Sequence, residues 1–276
     1  MQIDTTKRLN RSVTRRDRLS AVLSSGDIVT VDGAQAALGV DRRTAAKTLA
    51  RWTRQGWLAR VRRGTYAPVP LGSSQAVVAV EDAWMLVPEL FGLGYVGGAS
   101  AAHHWDLTEQ LFRTVFVYTT QVVRRTKQTI HGTRFSVHHI DRRLLFGTRP
   151  LWRGSVRIDV SDVHRTIIDM LNDPGAGGGA RHISECIAAY FRRKDADPKR
   201  LIEYADRLGN GAVFKRLGFL GERSDAPAAV MDACLRRLTK GYAKLDPALA
   251  APHVVRRWHL RIPASWKDAR RDDSRH

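Results

Sequence analysis

Basic side chains near the N-terminus are spaced in a way that suits contact with the phosphates and base edges of DNA. Arg42, Arg43 and Lys47 are long enough to reach either, and Thr44 could contact a base or a methyl group. The arginines that follow suit phosphates, the DNA backbone or a neighbouring minor groove. The residues predicted to contact DNA are Arg42, Arg43, Thr44, Lys47, Arg51, Arg54, Arg62 and Arg63.

A winged helix-turn-helix would position these side chains. Residues 31–38 predict a first helix, and Gly39 allows a tight turn after it. Asp41 predicts the N-cap of a second helix, because its carboxylate can accept the free N–H groups of the first turn. In that helix Ala45, Leu49 and Trp52 recur at i, i+4 and i+7. This spacing predicts a buried stripe and leaves most of the basic residues outside it.

The second helix is expected to lead into a β-hairpin, the wing. Gly56 predicts a left-handed C-cap. Residues 57–61 and 65–67 flank the turn Arg62-Arg63-Gly64 and have the composition of paired strands. Each feature alone also fits an exposed amphipathic helix followed by an ordinary hairpin. Their fixed order favours a winged helix that binds DNA.

The overall charge agrees with a polyanionic partner. The chain of 276 residues has a formal net charge of +19. A surface this basic attracts polyanions but carries no sequence preference. Residues 1–70 hold 14 Lys and Arg against 5 Asp and no Glu, so the charge is concentrated in the N-terminal part.

The remaining composition predicts a soluble cytoplasmic protein. Cys186 and Cys234 lie in apolar, helix-like surroundings without a CxxC pair, which predicts buried thiols in a reducing compartment. No stretch reaches the roughly 18 consecutive apolar residues of a membrane span. The first 19 residues lack the apolar core of a signal peptide.

Four segments are predicted along the chain: a basic arm at 1–16, the winged helix-turn-helix at 17–70, an α+β domain at 76–262 and a charged tail at 263–276. Within the second domain strands are expected first, at 95–96, 115–118, 129–140 and 156–160. Helices are expected at 75–90, in AAHHWDL after a Ser100 cap, in VHRTIIDML after an Asp162 cap, and at 182–192, 198–208, 211–217 and 226–239, with a last strand at 254–262. The predicted fold class is therefore α+β, a winged helix followed by a larger mixed α/β domain.

Four segments resemble the AbiEi-type antitoxins, which are the antitoxin components of bacterial toxin–antitoxin pairs. They are, in chain order, RVRRGTYAPV, YVGGASAAHHWDLTEQ, VRIDVSDVHRTIIDMLNDP and LIEYADRLGNGAVFKRLGFLGE. The run His103-His104-Trp105-Asp106-Leu107 departs from the leucine-histidine-glycine-leucine run more usual in relatives. The resemblance implies a winged helix that binds its own promoter, at inverted repeats of double-stranded DNA, and represses its operon. It also implies a C-terminal domain that counteracts a nucleotidyltransferase-like toxin.

Two further groups of residues were considered for function. Arg207, Lys215 and Arg216 lie beside apolar residues and are predicted as a surface that faces the toxin or another partner; an ordinary exposed helix face over a core is the alternative. Asp159, Asp162 and Asp169 could form the metal-binding carboxylates of a nuclease. However, Asp162 is explained as a cap, and Arg165 could pair with Asp162 or Asp169 at i+3 or i+4.

No metal site or cofactor is expected. The pairs His103-His104 and His138-His139 point their side chains apart, and no HExxH spacing is present. The glycine-rich PGAGGGA at 174–180 lacks the Lys-Ser/Thr of a P-loop and is predicted to be a mobile loop. A non-enzymatic antitoxin is thus the preferred interpretation. A stand-alone regulator with a ligand-sensing or oligomerising second domain is the alternative, and a nuclease is the third.

Overall fold

The computed structural model describes residues 14–24, 28–62, 64–69, 83–130, 132–154, 156–224 and 226–267. The predicted tail from residue 268 and most of the predicted arm lie outside these ranges, as do residues 70–82 with the first half of the helix expected at 75–90. The chain divides into two compact units. Of the described residues, those up to β3 together with Gly154 and Val156 form the first unit, and the others from Ala83 onward form the second.

The first unit contains three helices and a small antiparallel sheet with strand order β1-β3-β2. The helices are α1 (Arg15–Leu23), α2 (Val31–Leu38) and α3 (Arg42–Arg54). The strands are β1 (Val29–Thr30), β2 (Leu58–Arg62) and β3 (Thr65–Pro68). Helix, turn, helix and hairpin follow in the predicted order, which confirms the winged helix.

The core of the first unit is centred on α3. Ala45, Leu49 and Trp52, the core stripe, are buried as the spacing predicts. They pack in one cluster with residues of α1, α2 and all three strands, namely Val22, Val29, Val31, Ala34, Leu58 and Tyr66. Each helix begins at a side-chain cap: Thr14 forms a reciprocal capping box with Asp17, and Thr30 accepts from the N–H of Gly33. The apolar spacing and the caps therefore explain this unit from local sequence.

The second unit joins a six-stranded mixed sheet to a helical layer and a small three-stranded sheet. The helices are α4 (Val87–Phe91), α5 (Gly98–His104), α6 (Val163–Asn172), α7 (Ala180–Arg192), α8 (Pro198–Leu208), α9 (Gly211–Gly221) and α10 (Ala228–Leu235). The strands are β4 (Gly94–Val96), β5 (Thr114–Thr119), β6 (Lys127–Ile130), β7 (Thr133–His139), β8 (Thr148–Arg153), β9 (Val156–Ser161), β10 (Ala243–Lys244), β11 (His253–Val255) and β12 (Leu260–Ile262). Strands thus come first and helices later, as predicted.

The six-stranded sheet has the order β6-β7-β5-β4-β9-β8. Strands β5 and β7 run parallel, as do β4 and β9, whereas β4–β5 and β6–β7 are antiparallel. The helical core gathers α6 to α10 around residues such as Ile167, Ile187 and Leu217. No helix within the described residues combines the length and apolarity that crossing a membrane requires.

The C-terminal part completes that helical core. Strands β10 and β11 flank β12, and Trp258 lies between β11 and β12 in a single 3-10 turn. Trp258 is fully buried, and its ring lies so close to Gly218 of α9 that a Cβ at that position would be 2.0 Å from the ring. Gly218 is therefore required by the close approach of this indole.

Several predicted elements differ in detail. The segment 254–262 is not one strand, because the turn that holds Trp258 and the left-handed His259 (φ 48°) interrupts it. The stretch 129–140 is two antiparallel strands, β6 and β7. Ser100 does not cap α5: the helix begins at Gly98, and the Ser100 hydroxyl instead bonds the backbone of β5. Strand β8 was not predicted, because exposed residues interrupt its alternation.

A buried ion pair within α6 is hydrogen-bonded to Tyr95 of the sheet. The guanidinium Nε of Arg165 donates to Asp169 Oδ1 at 2.7 Å, and both side chains are 1 % exposed. Tyr95 of β4 accepts from Arg165 at 2.9 Å and donates to Asp169 at 3.3 Å. Burial raises the pKa of Tyr95 well above its ordinary value, so its hydroxyl stays protonated and can donate. The Arg165 guanidinium also lies 4.1 Å from the Phe146 ring centre.

We predict that Arg165→Met destabilises the second unit strongly. Removing one partner of a buried pair leaves an uncompensated charge, at a cost of about 3–5 kcal/mol. The matched control is Arg181→Met, because Arg181 also pairs with an acid at i+4, Glu185, but the two side chains are 92 % and 60 % exposed. Its effect should stay within about 0.5 kcal/mol. Urea denaturation followed by circular dichroism measures the free energy of unfolding of both variants. Equally small losses in the two variants would show that the buried pair contributes little to stability.

Candidate nucleic-acid interface

One face of α3 is basic along the length of the helix. Arg43, Lys47, Arg51 and Arg54, here called the basic stripe, recur at i, i+4, i+8 and i+11, a spacing that returns to one side of an α-helix. All four side chains are exposed, and the core stripe lies on the opposite side. Within the described residues, none of the four forms an ion pair with a carboxylate. The basic stripe is therefore available to an anionic ligand.

The N-terminus of α3 is fixed by Asp41. Its carboxylate accepts from the backbone N–H groups of Arg43 at 2.9 Å and Thr44 at 3.0 Å, and also from the Thr44 hydroxyl. The hydrogen bond from the Thr44 side chain and those from the two backbone groups hold the pKa of Asp41 below its usual value. This confirms the predicted N-cap. It also shows that the hydroxyl of Thr44, a predicted DNA contact, is occupied within the protein.

Arg42 lies on a different side of α3 from the basic stripe. Its guanidinium forms an ion pair with Asp32 of α2, and both side chains are mostly exposed. Exposed pairs of this kind contribute at most about 1 kcal/mol, so a phosphate could replace Asp32 as the partner of Arg42. Asp32 was not singled out from the sequence, because a contact between two helices leaves no local signal.

The C-terminus of α3 is closed by backbone hydrogen bonds. Gly56 has φ of 76°, its N–H donates to Thr53, and the N–H of Trp57 donates to Trp52. This pair of bonds around a left-handed glycine confirms the predicted helix end and turns the chain into β2. Arg51 and Arg54 lie in the last turn, where cations are favoured by the helix dipole.

The wing is formed by β2 and β3, with a register shift between Arg60 and Arg62. The predicted hairpin is confirmed. The side chain of Arg62 and the whole of Arg63 lie outside the described residues, so their assignment to DNA stays a prediction. Arg60, which the sequence analysis did not select, is exposed on β2. Its position on a strand beside two arginines was the signal that could have found it.

The predicted partner surface in the second unit is wrong for two of its three residues. Lys215 and Arg216 are 3 % and 5 % exposed. Arg216 donates to the carbonyl oxygens of Leu171 at 2.7 Å and Lys244 at 3.0 Å, while Lys215 donates to that of Gly241. Both therefore tie α9 to neighbouring backbone and cannot face a partner. Arg207 is exposed, with its guanidinium 4.0 Å from the Phe146 ring centre.

The three aspartates considered for a nuclease each have a structural partner. Asp159 pairs with Arg157 at 3.0 Å, Asp169 pairs with Arg165, and Asp162 caps α6 by accepting from the N–H of Arg165 at 2.8 Å. Asp162 also accepts from the Tyr204 hydroxyl at 3.0 Å. In the described part of the chain, no group of three or more His, Cys, Asp or Glu side chains is arranged to hold a metal ion.

The cysteines and the glycine-rich loop also have structural explanations. Cys186 and Cys234 are buried, and burial raises the pKa of each thiol to about 12. Such thiols are poor nucleophiles at neutral pH. The loop 174–180 leads into α7, where the Asp246 carboxylate accepts from the N–H of Ala180 at 3.2 Å. An acidic side chain of the protein thus occupies the place where a phosphate would bind in a P-loop.

The first unit matches a known family. The family model described as "Transcriptional regulator, AbiEi antitoxin" matches residues 17–69. The resemblance predicted from the sequence is confirmed over this segment, which includes α3 and the wing. None of the curated proteins matches the chain at a significant level.

A similar fold is found among solved structures. The crystal structure of the RV2827C protein from Mycobacterium tuberculosis aligns with a TM-score of 0.62 at 17 % identity, covering 89 % of this chain and 91 % of that one. At this identity the similarity shows the fold alone, and it extends over most of both chains. The fold of this chain is thus similar to that of a solved protein.

We predict that Asp41→Ala lowers the thermal unfolding midpoint of the first unit at pH 7, because α3 loses its N-cap. Since the folded-state pKa of Asp41 lies below its ordinary value of 3.8, the cap contributes fully above that value. The contribution is lost as the pH falls through the folded pKa, so the difference from the wild type should shrink in acid.

Asp232→Ala is the matched control for this prediction, because Asp232 is an exposed aspartate inside a helix rather than at its N-cap. Thermal unfolding followed by circular dichroism, at pH 7 and at a series of acidic pH values, compares the wild type with the two variants. A difference between Asp41→Ala and the wild type that is independent of pH would contradict the role of the carboxylate.

Proposed function

We propose that the protein is the antitoxin of a bacterial toxin–antitoxin pair, acts in the cytoplasm and represses its own operon. The observation that carries the proposal is the basic stripe, which lies on the helix that a winged helix-turn-helix inserts into the major groove. The match of residues 17–69 to a family of antitoxin transcriptional regulators supports it. The proposed target is the double-stranded DNA of its own promoter, at inverted repeats.

The basic stripe divides into two parts by position on α3. Arg43 and Lys47 lie in the first half of the helix, which in this class of domain contacts base edges. Arg51 and Arg54 lie in the last turn and suit phosphates. Arg42, which pairs with Asp32 in the free protein, is assigned to a DNA phosphate that replaces this carboxylate. We assign Arg62 and Arg63 of the wing to the DNA backbone or the neighbouring minor groove.

The second unit is assigned to counteracting a nucleotidyltransferase-like toxin, as the resemblance to AbiEi-type antitoxins implies. Arg207 remains the exposed member of the predicted partner surface. A stand-alone regulator whose second domain senses a ligand is the second candidate. A cavity of about 500 Å³ in the second unit favours that candidate. Both share the DNA-binding function of α3, and neither requires catalysis by this chain.

The first test is DNA binding by variants of the basic stripe. Arg43→Ala and Lys47→Ala should each weaken binding to the promoter fragment about tenfold, since each removes one charge-assisted contact. Replacing a residue that contacts a phosphate should also lower the slope of log affinity against log salt by about one. Fluorescence anisotropy with promoter DNA and with a scrambled sequence measures both effects.

Arg181→Ala is the control for this test, because Arg181 is an exposed arginine of α7 outside the winged helix. It should bind DNA like the wild type. If the double variant Arg43→Ala/Lys47→Ala binds with wild-type affinity and salt dependence, α3 does not dock on DNA as proposed. If only discrimination between the two DNA sequences is lost, the replaced residue reads a base.

The second test separates repression from neutralisation. Co-expression of the full chain with the nucleotidyltransferase-like product of a neighbouring gene should restore growth. The Arg43→Ala/Lys47→Ala variant should restore growth equally well while failing to repress a reporter driven by the promoter. Growth arrest that persists with the wild-type chain would refute the antitoxin role and leave the stand-alone regulator.

A further inference from the structure

The cavity in the second unit lies on one face of the six-stranded sheet, above β5, β6 and β7. Pairing places Arg134 opposite Thr114 and Thr129, and Ser136 opposite Phe116 and Lys127. Residues paired across neighbouring strands point to the same face, so all six side chains belong to that face. The loop after α6, with Asp173 and Ala176, borders it. The cavity has a volume of about 500 Å³, within the range of small-molecule sites.

One wall of the cavity is aromatic. The Phe116 ring is 9 % exposed and lines the cavity. The His138 ring lies 6.4 Å from it, and is stacked on the buried Tyr118 ring at 5.2 Å with an angle of 28°. The orientation of His138 is fixed further by Ser136, whose hydroxyl lies 3.0 Å from Nε2. A flat aromatic surface held in this way suits stacking with a planar ring of a ligand.

The opposite side of the cavity is basic. Lys127 and Arg134 line it with exposed side chains. Among the described residues, no carboxylate lies within ion-pair distance of either. The two cations come from neighbouring strands, so a single anionic group can reach both. Arginine and lysine in this arrangement are typical of phosphate recognition.

Asp173, the acidic residue of the lining, forms an ion pair with neither Lys127 nor Arg134 among the described contacts. Asp173 uses Oδ1 to accept from the N–H groups of Gly175 at 3.0 Å and Ala176 at 3.3 Å. Its other oxygen lies 3.3 Å from His138 Nδ1. The carboxylate is therefore engaged by the loop and by the imidazole. Thr129 lies on the same face and adds a hydroxyl to the lining that can bond the hydroxyls of a sugar or the edge of a base.

We propose that this cavity binds a nucleoside phosphate, with the base against Phe116 and His138 and the phosphate between Lys127 and Arg134. The aromatic wall beside the basic side fits this ligand class better than a plain anion, which would contact only the basic side. The site lies within the second unit and uses none of the basic stripe of α3. It gives the second unit a ligand that the proposed antitoxin function does not include.

The test is isothermal titration calorimetry of the full chain with ATP, GTP, CTP and UTP in turn, at physiological salt concentration. At least one nucleotide should bind, and both its nucleoside and inorganic tripolyphosphate should bind more weakly than the nucleotide. Arg134→Ala and Lys127→Ala should each weaken nucleotide binding about tenfold, as expected for loss of one charge-assisted hydrogen bond. Arg142→Ala, an exposed arginine outside the lining, is the control and should bind like the wild type.

Phe116→Leu separates the two halves of the site. It keeps an apolar side chain but removes the ring, so it should weaken nucleotide binding while leaving any tripolyphosphate binding unchanged. The other replaced side chains are exposed, and circular dichroism of each variant checks that it is folded. A 5′-phosphorylated dinucleotide, titrated in parallel, decides whether the nucleotide is free or the end of a strand, and binding of either supports the site.

Three results would overturn the proposal. The first is the absence of binding by every nucleotide and by the dinucleotide. The second is binding that Arg134→Ala and Lys127→Ala leave unchanged, which would place the nucleotide elsewhere on this basic chain. The third is tripolyphosphate binding as tightly as any nucleotide, which would make the cavity a plain anion site. None of these outcomes affects DNA binding by α3, so the two proposals fail independently.

Discussion

The burial of one face of α3 determines what the first unit can do. Trp52 and the rest of the core stripe pack against helices and hairpin alike, so the rotation of α3 about its axis is fixed by the core. The helical repeat then places the basic stripe on the outside without any further interaction. Because the core alone sets the rotation of the helix, the basic stripe is exposed without an ion pair to any carboxylate among the described residues. Asp41 and Gly56 set the two ends of this helix and so determine where the exposed face starts and stops.

Local sequence was sufficient to predict the winged helix, because each of its elements is determined by residues that are close in sequence. The cap at Asp41, the left-handed Gly56 and the spacing of the core stripe all act within one or two helical turns. The cap of α6 at Asp162 was found in the same way. The predictions were wrong where residues distant in sequence determine the local structure. Ser100 bonds the backbone of β5 instead of capping α5, and the turn that holds Trp258 interrupts a stretch predicted as one strand.

Charge alone did not reveal which basic residues are exposed. Lys215 and Arg216 were predicted to lie on the surface. Instead they are buried and donate hydrogen bonds to carbonyl oxygens at the end of α6 and in the C-terminal segment. Arg42 is exposed as expected, but its pairing with Asp32 depends on the angle between two helices. The cavity on the sheet was also invisible in the sequence. Lys127 and Phe116 lie on different strands, and only the order β6-β7-β5 brings them to one face.

The packing of Trp258 against Gly218 has a consequence for how the chain folds as it is made. The described core of the first unit runs from Val22 to Tyr66, so all of these residues have been synthesised once β3 has left the ribosome. The core of the second unit instead includes Trp258, Leu260 and Ile262, close to the C-terminus. Domains generally fold as units during synthesis, with the N-terminal one first. A nascent chain therefore contains every described residue of the winged-helix core before it contains the indole that packs against Gly218 of α9.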